Sequence, residues 1–199
     1  MGIVKADIST SIDGYGAGRN QSLDRPFGDL DQGPMHSWMF DHGEENAAEV
    51  AAIVGAGAYI MGRNMFVPGQ GPWSPDWRGW WGDDPPYHGP VFVLTHHGRE
   101  PIEMDGGTTF HFVTDGIEAA LEQARAAAGE QDISIAGGAS TINAYLAAGL
   151  LDELRHHVTP FTSGLAAGSR LFDGVPALEL VPVSVRHTPH VTHLTYRRA

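Results

Sequence analysis

A strand that runs into paired glycines and then opens a helix can present backbone amides to an anion. Residues 133–141, Ile-Ser-Ile-Ala-Gly137-Gly138-Ala-Ser140-Thr141, have that form. Glycine pairs let the main chain approach a phosphate closely. The free N–H groups of a first helical turn, aided by the helix dipole, then face the negative charge. Ser140 or Thr141 adds a hydroxyl donor. The plainer reading is a tight turn with Ser140 as an ordinary N-cap. Taken alone, such glycine-rich motifs do not decide between the two.

Three further segments end strands in polar residues. Met61-Gly62-Arg63-Asn64-Met65-Phe66 places an arginine just past a glycine. Arg63 either forks onto a phosphate or lies on the surface of a short helix. Val91-Phe92-Val93-Leu94 is followed by Thr95-His96-His97. Thr95 and His96 either meet a ribose or its 2′-phosphate, or are a polar strand exit. Ser9-Thr10-Ser11-Ile12-Asp13-Gly14-Tyr15 leaves the first strand and opens a long loop. Asp13-Gly14 is by itself a turn, and the loop has the length of a lid.

Other chemistry-bearing residues read more plainly. His96-His97 and His156-His157 invite a metal, but neighbours on a strand point to opposite faces. No His-x-x-x-His or carboxylate–His spacing supports one, so no metal is expected. Glu44, Glu45 and Glu49 offer a proton donor or a solvated helix face. Trp73, Trp77, Trp80 and Trp81 crowd one segment, as substrate-pocket or dimer-contact aromatics do.

The elements that must carry these residues follow from periodicity. Strands are expected over Ile3 to Ser9, Ala58 to Met61, Val91 to Leu94, Thr109 to Val113, Ile133 to Ile135 and Leu154 to Thr159. Leu178 to Arg186 and Val191 to Arg197 alternate around Thr188-Pro189, as a terminal antiparallel hairpin does. A short helix is expected near His36 to Phe40. A longer one starts near Glu44-Glu45, with Ala47, Val50, Ala51 and Val54 inward and Gly55 as its stop. Asp115 to Glu118 reads as a capping box opening a helix that Gly129 ends. Another helix follows Gly138, with Ile142, Tyr145 and Leu146 inward. About eight strands alternate with four helices. That is an α/β fold in one domain over residues 1–199: a mostly parallel sheet, helices on both faces and an antiparallel C-terminal hairpin. Ligands bind such sheets beyond the carboxyl ends of the strands, near a topological switch point.

Bulk composition narrows the function. The 199 residues are 42% hydrophobic, ordinary for a globular chain. Lys and Arg total 12 against 24 Asp and Glu, a formal charge of -12. That balance argues against nucleic acid and against anionic membrane surfaces. The absence of cysteine excludes disulfides, thiolate metal sites and a cysteine nucleophile. With no apolar leader at Met1 to Asp7 and no membrane-length apolar run, the cytoplasm is the expected compartment.

Taken in order, Ser11-Ile12-Asp13-Gly14-Tyr15, Met61-Gly62-Arg63-Asn64-Met65-Phe66, Val91-Phe92-Val93-Leu94-Thr95-His96, Ala136-Gly137-Gly138-Ala139-Ser140-Thr141 and Leu146-Ala147-Ala148-Gly149-Leu150-Leu151-Asp152-Glu153-Leu154 resemble the dihydrofolate-reductase-like superfamily. The nearest branch is the stand-alone relatives of the C-terminal reductase domain of riboflavin biosynthesis (RibD) proteins. The resemblance spans roughly Ile3 to Arg197. It implies an eight-stranded sheet, NADPH as hydride donor, a small and typically heterocyclic substrate reduced at C=N or C=O, and often a homodimer. It places Gly62, Arg63, Thr95 and His96 at the adenosine half of NADPH, and Gly137, Gly138, Ser140 and Thr141 at the pyrophosphate. Ile12, Asp13 and Gly14 then lie beside the nicotinamide and substrate. Asp13 is the candidate proton donor, with a bound water as its rival. Riboflavin-pathway reductases carry Val-Glu-Gly-Gly where this chain has Ile135-Ala136-Gly137-Gly138. The alternative function classes are a non-catalytic NADP(H)-binding or ligand-sequestering module and a dimeric scaffold.

Overall fold

The computed structural model describes residues 2–31, 33–69, 71 and 73–199. In chain order its elements are β1 (Val4–Ser11), β2 (Tyr15–Gly18), α1 (Gly33–Phe40), α2 (Ala47–Ile53), β3 (Ala58–Gly62), α3 (Arg63–Phe66), β4 (Pro90–Leu94), β5 (Ile102–Glu103), β6 (Thr109–Val113), α4 (Gly116–Ala128), β7 (Ile133–Gly137), α5 (Ala139–Ala147), β8 (Glu153–Thr159), β9 (Gly168–Arg170), β10 (Leu180–Thr188) and β11 (Val191–Arg198). Single 3-10 turns cover Gly43–Asn46 and Asp105–Gly107. Among the described residues no helix is long and apolar enough to cross a membrane.

Nine strands form one sheet in the order β10-β11-β8-β1-β7-β3-β4-β6-β5. The six from β8 to β6 run parallel, and β11, β10 and β5 are antiparallel edges. The chain builds outward through β3, β4 and β6. It then returns to lay β7 between β1 and β3, with β8 on the far side of β1. The sheet's direction of growth thus reverses around β1 and β7, the kind of switch point at whose carboxyl ends α/β sheets bind ligands. Parallel strands covered on both faces lack polar alternation, and β3 shows how both faces are used. Ala58 and Ile60 join one core with Ile135, Leu121, Ile142 and Tyr145, under α4 and α5. Tyr59 and Met61 join a second core with Phe66, Val91, Val93 and Phe110.

The eight expected strands and the four expected helices are all present, with differences that have physical causes. Three strands carried no periodic signal: the two-residue edge β5, and β2 and β9, which form a separate small antiparallel ribbon. Asp115 precedes α4, but its side chain makes no capping hydrogen bond, so the expected capping box is not formed. Gly138, not Ser140, is the N-cap of α5. The helix expected from Glu44-Glu45 is a 3-10 turn followed by seven α-helical residues, none buried. It sits on a polar patch of the sheet around Asp7 and Arg155 rather than on a hydrophobic core. The tryptophan segment closes the second core. Trp73, Trp77 and Trp81 pack against it, and Trp77 Nε1 donates to the Phe66 carbonyl at 2.8 Å.

Candidate active site

The carboxyl ends of β1, β7, β3 and β4 lie side by side, so all four polar strand exits share one edge of the sheet. Register ties Met61 to Gly137 and Gly62 to Leu94. The Gly62–Arg63 turn and the Gly137–Gly138 turn are therefore immediate neighbours.

At the head of α5, the amides of Thr141 and Ile142 donate to the Gly138 carbonyl at 3.0 and 3.1 Å. The amides of Ala139 and Ser140 stand at the start of the helix, where no earlier turn supplies an acceptor. The Gly137–Gly138 peptide is cis, and Gly137 has φ +121°. A Cβ on Gly138 would meet nothing within 4 Å. Neither amide has an acceptor among the described residues, and there is open space at Gly138. The first-turn hydroxyls diverge. Thr141 Oγ1 sits where a Cβ on Gly62 would fall, so only glycine lets β3 pass this close to α5. Ser140 Oγ instead shares a hydrogen bond with Ser169 Oγ at 3.1 Å, on the other flank of α5.

Arg63 starts α3, and its guanidinium is turned onto the following loop. It donates to the carbonyls of Gly69 and Gly71, the latter at 2.6 Å, and lies 5.4 Å from the Trp73 ring centroid. Its Nε is buried and has no hydrogen-bond partner among the described residues. Thr95 is buried, and its hydroxyl accepts from the His97 amide at 3.0 Å, which makes it a turn residue. His96 is exposed at the tip of β4.

Just past β1, Ile12 is 61% exposed, while its amide donates to the Phe161 carbonyl at 2.9 Å. Asp13 accepts from the Ser163 amide at 2.9 Å and the Ser163 hydroxyl at 2.6 Å. Burial pushes the Asp13 carboxyl up, but the two Ser163 hydrogen bonds outweigh it and hold the group down at about 2. At neutral pH it carries no proton to give. Its geometry is that of a fastener between the loop after β1 and the loop after β8. The Gly14 carbonyl accepts from the Leu171 amide at 2.9 Å, and β2 pairs with β9 just beyond. Ser163, Ser169 and Arg170 were not singled out from sequence. Their segment, residues 161–170, has no periodicity, and only the fold brings it to Asp13, 150 positions away.

Glu44 and Glu45 are exposed. Glu49 is held by Arg186 in two 2.7 Å hydrogen bonds. Burial raises its pKa, and the Arg186 contact more than reverses this. None of the three lies at the strand tips, which leaves the solvated reading for the first two. Among the described residues, no group of three or more His, Asp or Glu side chains is arranged to hold a metal ion.

Comparison with known proteins identifies the fold and the family. The fold is similar to a protein of Shewanella sp. PV-4 assigned to riboflavin biosynthesis, at 23% identity and TM-score 0.63 over 99% of both chains. It is similar to a pyrimidine reductase-like protein of Corynebacterium diphtheriae, at 15% identity and TM-score 0.60 over 100% of this chain and 92% of that one. RibD of Acinetobacter baumannii matches at 15% identity and TM-score 0.60, and there the whole of this chain spans 58% of the other. No curated protein matches the sequence. The family model described as the RibD C-terminal domain matches residues 3–194, nearly the whole chain, and to that family the chain belongs.

Proposed function

We propose that the protein is an NADPH-dependent reductase of a small heterocyclic substrate. Family membership supports a reductase, and the observation that carries the cofactor is the shared edge of the Gly62 and Gly137–Gly138 turns. Free amides of Ala139 and Ser140, open space at Gly138 and the Thr141 hydroxyl fit a pyrophosphate. Arg63 and His96, on the next two strand tips, suit the adenosine phosphate. Its Gly69 and Gly71 contacts mean that Arg63 must leave the loop to do so. Bound there, NADPH supplies the hydride.

The chain's own contribution is positional. Ile12 and Gly14 form the apolar floor at the tip of β1, beside the nicotinamide end of the groove. The β2–β9 ribbon and the Asp13–Ser163 pair fasten the loops after β1 and β8 to each other, which keeps the tip of β1 in a fixed position. Asp13 stays ionised, so the proton accompanying hydride transfer comes from a water and not from Asp13. Ala136 stands where riboflavin-pathway reductases carry an acid, which favours a heterocycle other than their ribosylaminopyrimidine. We place the enzyme in the cytoplasm as a homodimer, which light scattering checks directly.

The test is turnover. NADPH oxidation at 340 nm is followed with a panel of pterins, pyrimidines and cyclic imines or ketones. Saturable oxidation with one ring class is expected. NADPH binding with no oxidation across the whole panel contradicts the assignment as a reductase.

A further inference from the structure

Residues 33–53 cover one face of the sheet with little apolar surface. α1 buries Met35 and Trp38, the 3-10 turn buries Asn46, and α2 buries no residue. Polar and ring contacts do much of the fastening. Trp38 Nε1 donates to Ser9 Oγ at 3.1 Å, and its ring packs on His157 and His193, with centroids 4.8 and 5.0 Å away. His42 stacks on His190 at 3.5 Å. Glu49 holds Arg186 of β10.

The hydrogen bonds at the centre of this cover allow its protons to be counted. Asn46 Nδ2 donates to the carbonyls of Trp38 and His42, at 3.0 and 2.8 Å, and Arg186 Nη2 donates to Asn46 Oδ1 at 2.9 Å. That oxygen is an acceptor, so His193 Nε2, 2.9 Å from it, carries a hydrogen. Asp7 is ion-paired with Arg155 at 3.9 Å, and its Oδ1 also faces His157 Nε2 at 3.5 Å. A lone pair turned on a buried carboxylate is repelled, so His157 Nε2 carries a hydrogen too. His157 Nδ1 and His193 Nδ1 lie 2.8 Å apart, with room for one hydrogen between them. The two rings thus hold three N–H hydrogens, whereas two neutral imidazoles hold two. The pair carries one positive charge, opposite Asp7. Burial, and then the charge on His157, hold His193 down at about 4, which places that charge on His157.

We propose that the His157–His193 pair is a pH-sensitive clasp: holding one shared proton it fastens the α1–α2 cover to β8 and β11, and a second proton releases the cover. A fourth hydrogen would set two N–H groups against each other at 2.8 Å. It would also add charge beside Arg155 and Arg186, with Asp7 and Glu49 as the facing acids. His36 faces the pair from α1 and His156 lies next to it on β8, and both are held at about 4 by burial and then by His157. A ring lowered from 6.5 to about 4 on closing favours the closed cover fully above 6.5. That contribution is lost as pH falls from 6.5 toward 4, because the open cover takes up the proton that the closed one refuses. Release also frees Ser9, two residues before the end of β1. The clasp does not depend on the reductase reading.

Two NMR measurements on the intact protein test this. Histidine ring nitrogen-15 shifts at pH 7 are expected to show three protonated nitrogens across His157 and His193, with His193 Nδ1 the unprotonated one. Only two protonated nitrogens overturn the proposal, whatever any variant does. Fluorine-19 spectra with 5-fluorotryptophan, the Trp38 signal being assigned by its loss in Trp38→Phe, follow the release. The Trp38 signal is expected to move reversibly to a solvent-exposed position as pH falls from 6.5 toward 4, while Trp81, in the second core, keeps its own. In His193→Gln, which keeps a donor for Asn46 but takes up no proton, the midpoint is expected about one pH unit lower or more. A Trp38 signal that stays put down to about pH 4, release only together with Trp81, or the same midpoint in parent and variant overturns the clasp.

Discussion

At the residue scale, Arg63 and Asp13 both hold positions that fit the resemblance, and both are already engaged. Arg63 donates to the Gly69 and Gly71 carbonyls. If it also meets a cofactor phosphate, Arg63→Ala weakens NADPH binding about tenfold or more, the worth of a charged hydrogen bond. Unchanged affinity in calorimetry makes Arg63 only a loop fastener. Asp13 behaves as an acceptor, with its carboxyl lowered from 3.8 to about 2 by Ser163. A depressed pKa gives a contribution that is complete above the unfolded value and fades as pH falls through the folded one. Hydrogen exchange of the Ser163 amide is therefore expected to stay slow down to about pH 4 and to accelerate between there and pH 2. Asp13→Asn should show fast exchange already at neutral pH. Equal protection in the variant removes Asp13 from the clasp. These engagements were not legible in the sequence, because Ser163 and Gly69 sit in segments whose positions only the finished fold defines.

At the element scale, the readable parts were those whose patterns come from burial. Val91 to Leu94 and Ile133 to Ile135 are apolar because parallel strands are covered on both faces. The β2–β9 ribbon was not readable, since Tyr15-Gly16-Ala17-Gly18 and Gly168-Ser169-Arg170 have too little side chain to alternate. Nor was the lack of burial along α2. Its alanines and valine suggest an inward stripe, but the strands beneath carry Asp7, Arg155 and His157. The tryptophan cluster offered pocket and interface readings, whereas its main contact is the second core. Phe66 of α3 is fully buried there, in ring contact with Trp73, Phe110 and Phe112. Phe66→Ala should cost about 3–5 kcal/mol in urea unfolding, the range for a buried aromatic. Because α3 also carries Arg63, the same variant should weaken cofactor binding. A loss under about 1 kcal/mol would mean that the loop repacks freely.

At the scale of the whole molecule, strand order does what no single motif does. By inserting β7 between β1 and β3, the chain puts the Gly137–Gly138 turn against Gly62. The motifs were visible one by one, and their order matched the family. Their adjacency is a property of topology. The net charge of -12 acts at the same scale. An anionic dinucleotide meets a repulsive field, so its association rate should rise as salt is raised from about 10 mM toward 150 mM, where the screening length falls below about 10 Å. A rate that falls with salt would indicate that the cations at the groove dominate its field. The central claim is the anion cradle at the β7–α5 turn, and Gly138 allows a direct test. Its φ is -79° and a side chain there meets nothing within 4 Å, so Gly138→Asp should fold normally while placing a carboxylate among the phosphate donors. Calorimetric titration of both proteins with NADPH should give micromolar, one-per-chain binding to the parent and a loss of at least tenfold in the variant. Equal affinities, or no saturation of the parent at millimolar NADPH, would contradict the account.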